Sequence, residues 1–171
     1  MKELVPPLVV CGLLMPLEAA LLPHLGLPLG SGARAELPLL AVLLLAVESA
    51  SALQGAVGCF LFGVLADVCY QVQPGLFTLS SLLLFVLLRL TPVEREVRGP
   101  LSFAVLAAVG VPLQAGLVFG LLWLVGHPLP ESPVWSVALG ALCTAAVAPL
   151  FYWLTLVGGK WLVRDDPSLL R

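Results

Sequence analysis

Three carboxylates lie inside long apolar stretches of this 171-residue chain, and they are the side chains there best able to do chemistry: Glu18, Glu48 and Asp67. A charged side chain at the centre of a membrane helix costs about 2.5–3.5 kcal/mol, so such groups are rare without a role. Glu18, Asp67 and the nearby Gln71 could share a polar site at the outer side of a membrane. Alternatively, each carboxylate lies near the interface or is neutral and hydrogen-bonded between helices.

The sequence patterns that mark catalytic and cofactor sites are missing. The apolar stretches contain no Gly-x-Ser-x-Gly elbow, and the chain has neither a His-Glu-x-x-His motif nor a glycine-rich phosphate loop. Asp67 is the only aspartate in an apolar stretch, so a catalytic aspartate pair is excluded. The two histidines, His24 and His127, are far apart and lack neighbouring ligands. We therefore expect a protein that is not an enzyme and has no cofactor or metal site.

Small residues recur every four positions in three of the apolar stretches. Helices in lipid associate where small residues let their backbones approach closely. Such ladders could pack the protein's own helices, or one of them could receive a helix of a partner protein. Their members are Gly55, Cys59, Gly63 and Asp67; Ala104, Ala108, Pro112, Gly116 and Gly120; and Ser136, Gly140, Thr144 and Ala148.

Composition places these stretches in a membrane. Hydrophobic residues make up 60% of the chain and charged residues only 11%, whereas a soluble domain carries about 25% charge. This excludes a soluble globular enzyme and a disordered chain. With a formal net charge of −2 and no basic patch, the chain is not a nucleic-acid binder either.

The apolar runs do not alternate as barrel strands do, so the fold class that we predict is an all-α integral membrane protein. A span needs about 20 apolar residues. The sequence divides into a single transmembrane domain of six spans, at about 4–23, 37–53, 55–72, 76–90, 101–126 and 134–157. Spans two and three are joined by a tight turn near Glu48 and Gln54.

The distribution of basic residues predicts the orientation, because Lys and Arg collect on the cytoplasmic side. With both termini inside, seven of the eight lie on the inner side and only Arg34 lies outside. The inner loop after span four carries the longest charged stretch and the arginines Arg89, Arg95 and Arg98. This loop is either simply solvated or a docking surface for a cytoplasmic protein.

The stretch from Gly55 to Ser81 resembles the glycine-rich span of the bacterial rod shape-determining protein MreD family. That span ends in Gly-Leu-Leu-x-Asp, and a turn with Gly-Leu follows it. Here the matching residues are Gly63-Val-Leu-Ala-Asp67 and Gly75-Leu76. Chain length, the six spans and the basic loop after span four also fit the family's layout.

The resemblance implies a non-catalytic inner-membrane scaffold of the cell-elongation machinery that makes peptidoglycan. Its implied partners are the single-span protein MreC, the complex of RodA with a class B penicillin-binding protein, and MreB at the cytoplasmic face. The partner or packing candidates are then Gly55, Cys59, Gly63, Asp67, Gly75, Gly116 and Gly120.

A second hypothesis follows from the likeness of the MreD fold to the substrate-binding S subunits of energy-coupling-factor vitamin transporters. In that case the chain binds a small molecule in the outer site around Glu18, Asp67 and Gln71. S subunits commonly present an Ala-x-x-x-Ala step on span one, whereas this chain has only the adjacent Ala19 and Ala20 there. A third hypothesis is a generic membrane chaperone or accessory subunit.

Overall fold

The computed structural model describes residues 12, 36–49, 51–70, 74–91, 97, 99–127 and 133–164. Five helices lie within these ranges, and no strand does: α1 (Leu37–Glu48), α2 (Ala52–Tyr70), α3 (Leu76–Leu90), α4 (Pro100–Val125) and α5 (Pro133–Arg164). The expected all-helical fold is confirmed for this part of the chain. The first predicted span, 4–23, lies outside it except for Gly12.

The shortest helix, α1, lies at the centre of the bundle. Every residue from Leu37 to Ala46 is buried, and α1 packs against each of the four other helices. A helix that is apolar all round suits either a protein core or a membrane span. For α1 the neighbouring helices provide the cover, and its continuous run of Leu, Ala and Val is compatible with that central place.

The outer helices pack as two antiparallel pairs. The most extensive interface joins α4 to α5, and the next joins α2 to α3. One well-defined contact between α4 and α5 is between the rings of Phe103 and Tyr152, whose centroids lie 5.3 Å apart. The α3–α4 interface connects the two pairs beside α1.

Three helices are long and apolar enough to cross a membrane: α2, α4 and α5, over Ala52–Cys69, Pro100–Val125 and Val134–Thr155. The apolar helices α1 and α3 are shorter, with 12 and 15 residues. Proline lies inside both long helices of the second pair, as Pro112 in α4 and Pro149 in α5. Membrane helices tolerate such prolines, because neighbouring helices and side chains satisfy the freed backbone groups.

The turn between α1 and α2 falls between Glu48 and Ala52, close to the turn predicted near Glu48 and Gln54, but α1 is shorter than predicted. The helix α1 ends at Glu48, where the sequence predicted a span to Leu53, and Ser49 has an extended backbone. No glycine or proline marks this stop in the sequence. A side chain of α3, Arg89, contacts the chain at this point.

Candidate functional site

Asp67 links α2 to the beginning of α3. Its side chain is 9% exposed and accepts four hydrogen bonds, all from the residues that begin α3. The backbone N–H groups of Gly75 and Phe77 donate at 2.9 Å to Oδ2 and Oδ1, respectively. Thr78 donates to Oδ2 twice, from its hydroxyl at 2.6 Å and from its N–H at 3.3 Å.

This arrangement satisfies the N-terminus of α3 from a neighbouring helix. The first N–H groups of a helix have no partner within it and carry partial positive charge, so a carboxylate placed there is stabilising. Gly75, at the N-cap position, has no side chain to supply the cap, and its φ of +90° is a conformation that favours glycine. Asp67 therefore takes the role that an N-cap side chain normally has.

Gly63, one helical turn before Asp67, allows α2 and α3 to approach closely. A Cβ added at Gly63 would overlap the backbone Cα of Thr78. Because that atom belongs to the main chain, a larger residue at position 63 could fit only if the two helices moved apart. Gly63 and Asp67 thus act on the same turn of α3, one by steric fit and the other by hydrogen bonding.

The other members of this ladder lie toward the beginning of α2. Cys59 is fully buried, and a Cβ added at Gly55 would lie 2.5 Å from Cζ of Phe85 in α3. Of the two explanations offered for this ladder, internal packing describes its observed contacts. The α2 ladder is covered by the protein's own α3.

The opposite end of α3 is held by Arg89. Its guanidinium donates to the carbonyl oxygen of Ser49 and, at 2.8 Å, to the Ser49 hydroxyl. It also lies 5.7 Å from the ring centroid of Phe85. A cation at the C-terminus of α1 is favoured by the partial negative charge there, and this contact lies at the C-cap residue of α1. Arg89, predicted as part of the inner loop, thus belongs to the last turn of α3.

The α4 ladder lies in a different environment. A Cβ added at Gly116 or Gly120 would have no atom of the described residues within 4 Å, and both residues are exposed. Unlike Gly55 and Gly63, these two glycines therefore face a surface that no other helix among the described ranges covers.

The structure describes only part of the proposed outer polar site. Glu18 and Gln71 lie outside the described residues, and both oxygens of Asp67 are engaged by α3. The loop arginines Arg95 and Arg98 also lie outside them. Glu48 is exposed at the end of α1.

Two buried polar residues were missed as site candidates by sequence reasoning. Gln114 of α4 is 3% exposed, and its Oε1 has no hydrogen-bond partner within the described ranges. Thr144 of α5 accepts a hydrogen bond at 3.0 Å from the backbone N–H of Glu36 and donates one at 2.7 Å to the carbonyl oxygen of Gly140. The signal for Gln114 was an amide within an apolar span, and Thr144 belonged to a recognised small-residue ladder.

The chemistry available to these groups is helix capping and packing. Over the ranges that the structure describes, no three His, Cys, Asp or Glu side chains come together in a way that could hold a metal ion. The comparisons with protein-family models, with curated proteins and with solved structures give no match.

Proposed function

We propose that this chain is a non-catalytic scaffold subunit of the bacterial cell-elongation machinery, similar in role to MreD, located in the cytoplasmic membrane with both termini inside. Three apolar helices long enough to span a bilayer support the membrane location. The match to the MreD motif between Gly55 and Gly75 supports the role.

The observation that carries the proposal is that the motif residues act at one interface. Gly63 allows the close approach of α2 and α3, Asp67 caps α3, and Gly75 supplies the turn that the cap requires. If this chain and the MreD family share an architecture, the residues of their common motif must fit one another in this way. The resemblance itself rests on residue identity, and the α2–α3 contacts give its residues a common structural role.

An MreC-like single-span protein is the partner that we propose, with the RodA and class B penicillin-binding protein complex as the synthase and MreB at the cytoplasmic face. Because α3 covers the α2 ladder, Gly116 and Gly120 are the small-residue candidates that no other described residue covers, and we propose them as the contact for a partner helix. Close helix approach in lipid favours such positions.

Co-purification tests this proposal. The full chain would be co-expressed with the MreC-like protein of the same organism, extracted in mild detergent and captured through a tag on one protein. We expect a stable complex with the wild-type chain and at least a tenfold loss of partner with the double variant Gly116→Leu, Gly120→Leu.

The matched control is Val64→Leu at an exposed position of α2, which is expected to retain the partner. Size-exclusion elution unchanged from wild type shows that a variant is folded. Gly63→Leu is unsuitable here, since it would disrupt the α2–α3 pair itself. Wild-type protein that is folded but recovers no MreC-like partner would contradict the scaffold proposal.

A ligand screen separates the scaffold from the transporter-subunit hypothesis. The scaffold proposal predicts no thermal shift of the purified protein with riboflavin, thiamine or biotin. A saturable shift with any of these would favour the S-type subunit instead.

A further inference from the structure

The outward face of α3 is apolar and short. Every exposed side chain within Leu76–Leu90 is apolar: Leu79, Leu83, Val86, Leu87 and Leu90. At 1.5 Å per residue, the whole helix of 15 residues is about 22 Å long. The hydrocarbon core of a typical bilayer is about 30 Å thick. In a membrane, this face is therefore about 8 Å too short.

Both ends of that face are fixed by charged groups that are already engaged. Asp67 holds the first turn of α3 through four hydrogen bonds, and Arg89 in the last turn is bonded to Ser49. Long charged side chains near helix ends usually reach along the helix axis toward water. Here such a movement would break the contacts that hold α1, α2 and α3 together.

The other side of the bundle has a different apolar height. Exposed apolar side chains on α4 extend from Leu101 to Val125, a rise of about 36 Å. Those on α5 extend from Val134 to Leu154, about 30 Å. Both match a typical bilayer, α4 with some tilt. Tilting cannot correct α3, because it shortens the height that a helix spans.

We propose that this protein thins the bilayer beside α3, so that lipids with short acyl chains are favoured there and not beside α4. A rigid apolar face shorter than the hydrocarbon core is accommodated by local thinning of the bilayer. The inference rests on the membrane location proposed above, and it does not depend on the MreD-like role.

Tryptophan quenching by brominated lipid measures this preference site by site. The four native tryptophans, Trp123, Trp135, Trp153 and Trp161, would be replaced by Phe. A single reporter tryptophan then replaces Val86 on α3 or Val109 on α4, which are exposed to a similar extent, 52% and 58%. Leu83→Trp is a second α3 reporter in case Val86→Trp misfolds.

The full chain with each reporter is reconstituted into phosphatidylcholine vesicles with 14-, 18- or 22-carbon monounsaturated chains, mixed with brominated 18-carbon phosphatidylcholine. At the α3 reporters we expect the 14-carbon lipid to bind about threefold more strongly than the 22-carbon lipid. At Val109→Trp we expect no such preference.

Equal chain-length dependence at both helices would overturn the proposal. Absence of quenching at both helices would overturn the membrane location on which it rests. The two failures are thus distinguishable.

Discussion

The hydroxyl of Thr78 donates a 2.6 Å hydrogen bond to the Asp67 carboxylate, at a point where α2 and α3 pack closely. Thr78 is also the residue whose backbone Cα faces the missing side chain of Gly63. Steric fit and hydrogen bonding therefore depend on each other here. If the helices moved apart to admit a side chain at Gly63, the cap on α3 would lengthen.

Asp67→Ala should strongly destabilise the protein. It removes the acceptor for four hydrogen bonds at the partly buried start of α3, which we expect to cost about 2–4 kcal/mol in free energy of unfolding. Thr78→Val removes one of these bonds while preserving shape, and should cost about 1 kcal/mol. Unfolding in detergent measures both variants. Equal stability of Asp67→Ala and wild type would contradict the capping role.

The glycines of α2 and α4 should respond oppositely to the same small change. Gly63→Ala forces a Cβ against the Thr78 backbone and should destabilise by about 1–3 kcal/mol. Gly116→Ala meets no atom of the described residues and should be neutral or stabilise by up to about 1 kcal/mol. The comparison uses the same unfolding measurement. Equal effects would show that Gly63 is not a close-packing position.

Arg89 and Ser49 should show energetic coupling. Arg89→Met keeps much of the side-chain volume but removes both hydrogen bonds to Ser49, and we expect a loss of about 1.5–3 kcal/mol. Ser49→Ala removes only the hydroxyl acceptor and leaves the carbonyl, so its effect should be smaller. A double-mutant cycle isolates the shared contribution. Strict additivity would mean that the hydroxyl contact contributes nothing to stability.

The orientation is testable with reporter fusions. The distribution of basic residues predicts that the C-terminus after Arg171 and the loop after Leu90 lie in the cytoplasm. A fused alkaline phosphatase should therefore be inactive at both positions and active when inserted near His127. Phosphatase activity at the C-terminus would contradict the six-span topology, which remains a prediction.

The helices of the described chain could largely be predicted from the sequence, because long apolar runs have few alternatives. The predicted span 76–90 coincides with Leu76–Leu90, and 101–126 differs by one residue at each end from Pro100–Val125. The sequence predicted the turn near Glu48 and Gln54 but not the exact end of α1, where the C-cap residue Ser49 is bonded to Arg89, forty residues later in the chain. No local turn signal marks it.

For the candidate site, too, the sequence predicted what depends on neighbouring residues and not what depends on contacts between helices. Four-residue spacing identified the α2 ladder with Gly55, Gly63 and Asp67, because periodicity determines which residues share a helix face. The spacing could not tell that α3 covers this ladder, or that α4 leaves Gly116 open. Likewise, the carboxylate of Asp67 in an apolar span suggested an outer polar site. In the structure this carboxylate binds the N-terminus of α3, which lies close to it because the chain turns between α2 and α3.

Depletion of this chain from growing cells of its own organism tests the scaffold role most directly. The measured quantity is the ratio of cell length to width over several generations. Loss of the chain should round the cells. Wild-type protein or the Val64→Leu control should restore elongation, whereas Asp67→Ala should not. Unchanged cell shape after complete depletion would contradict the proposed function.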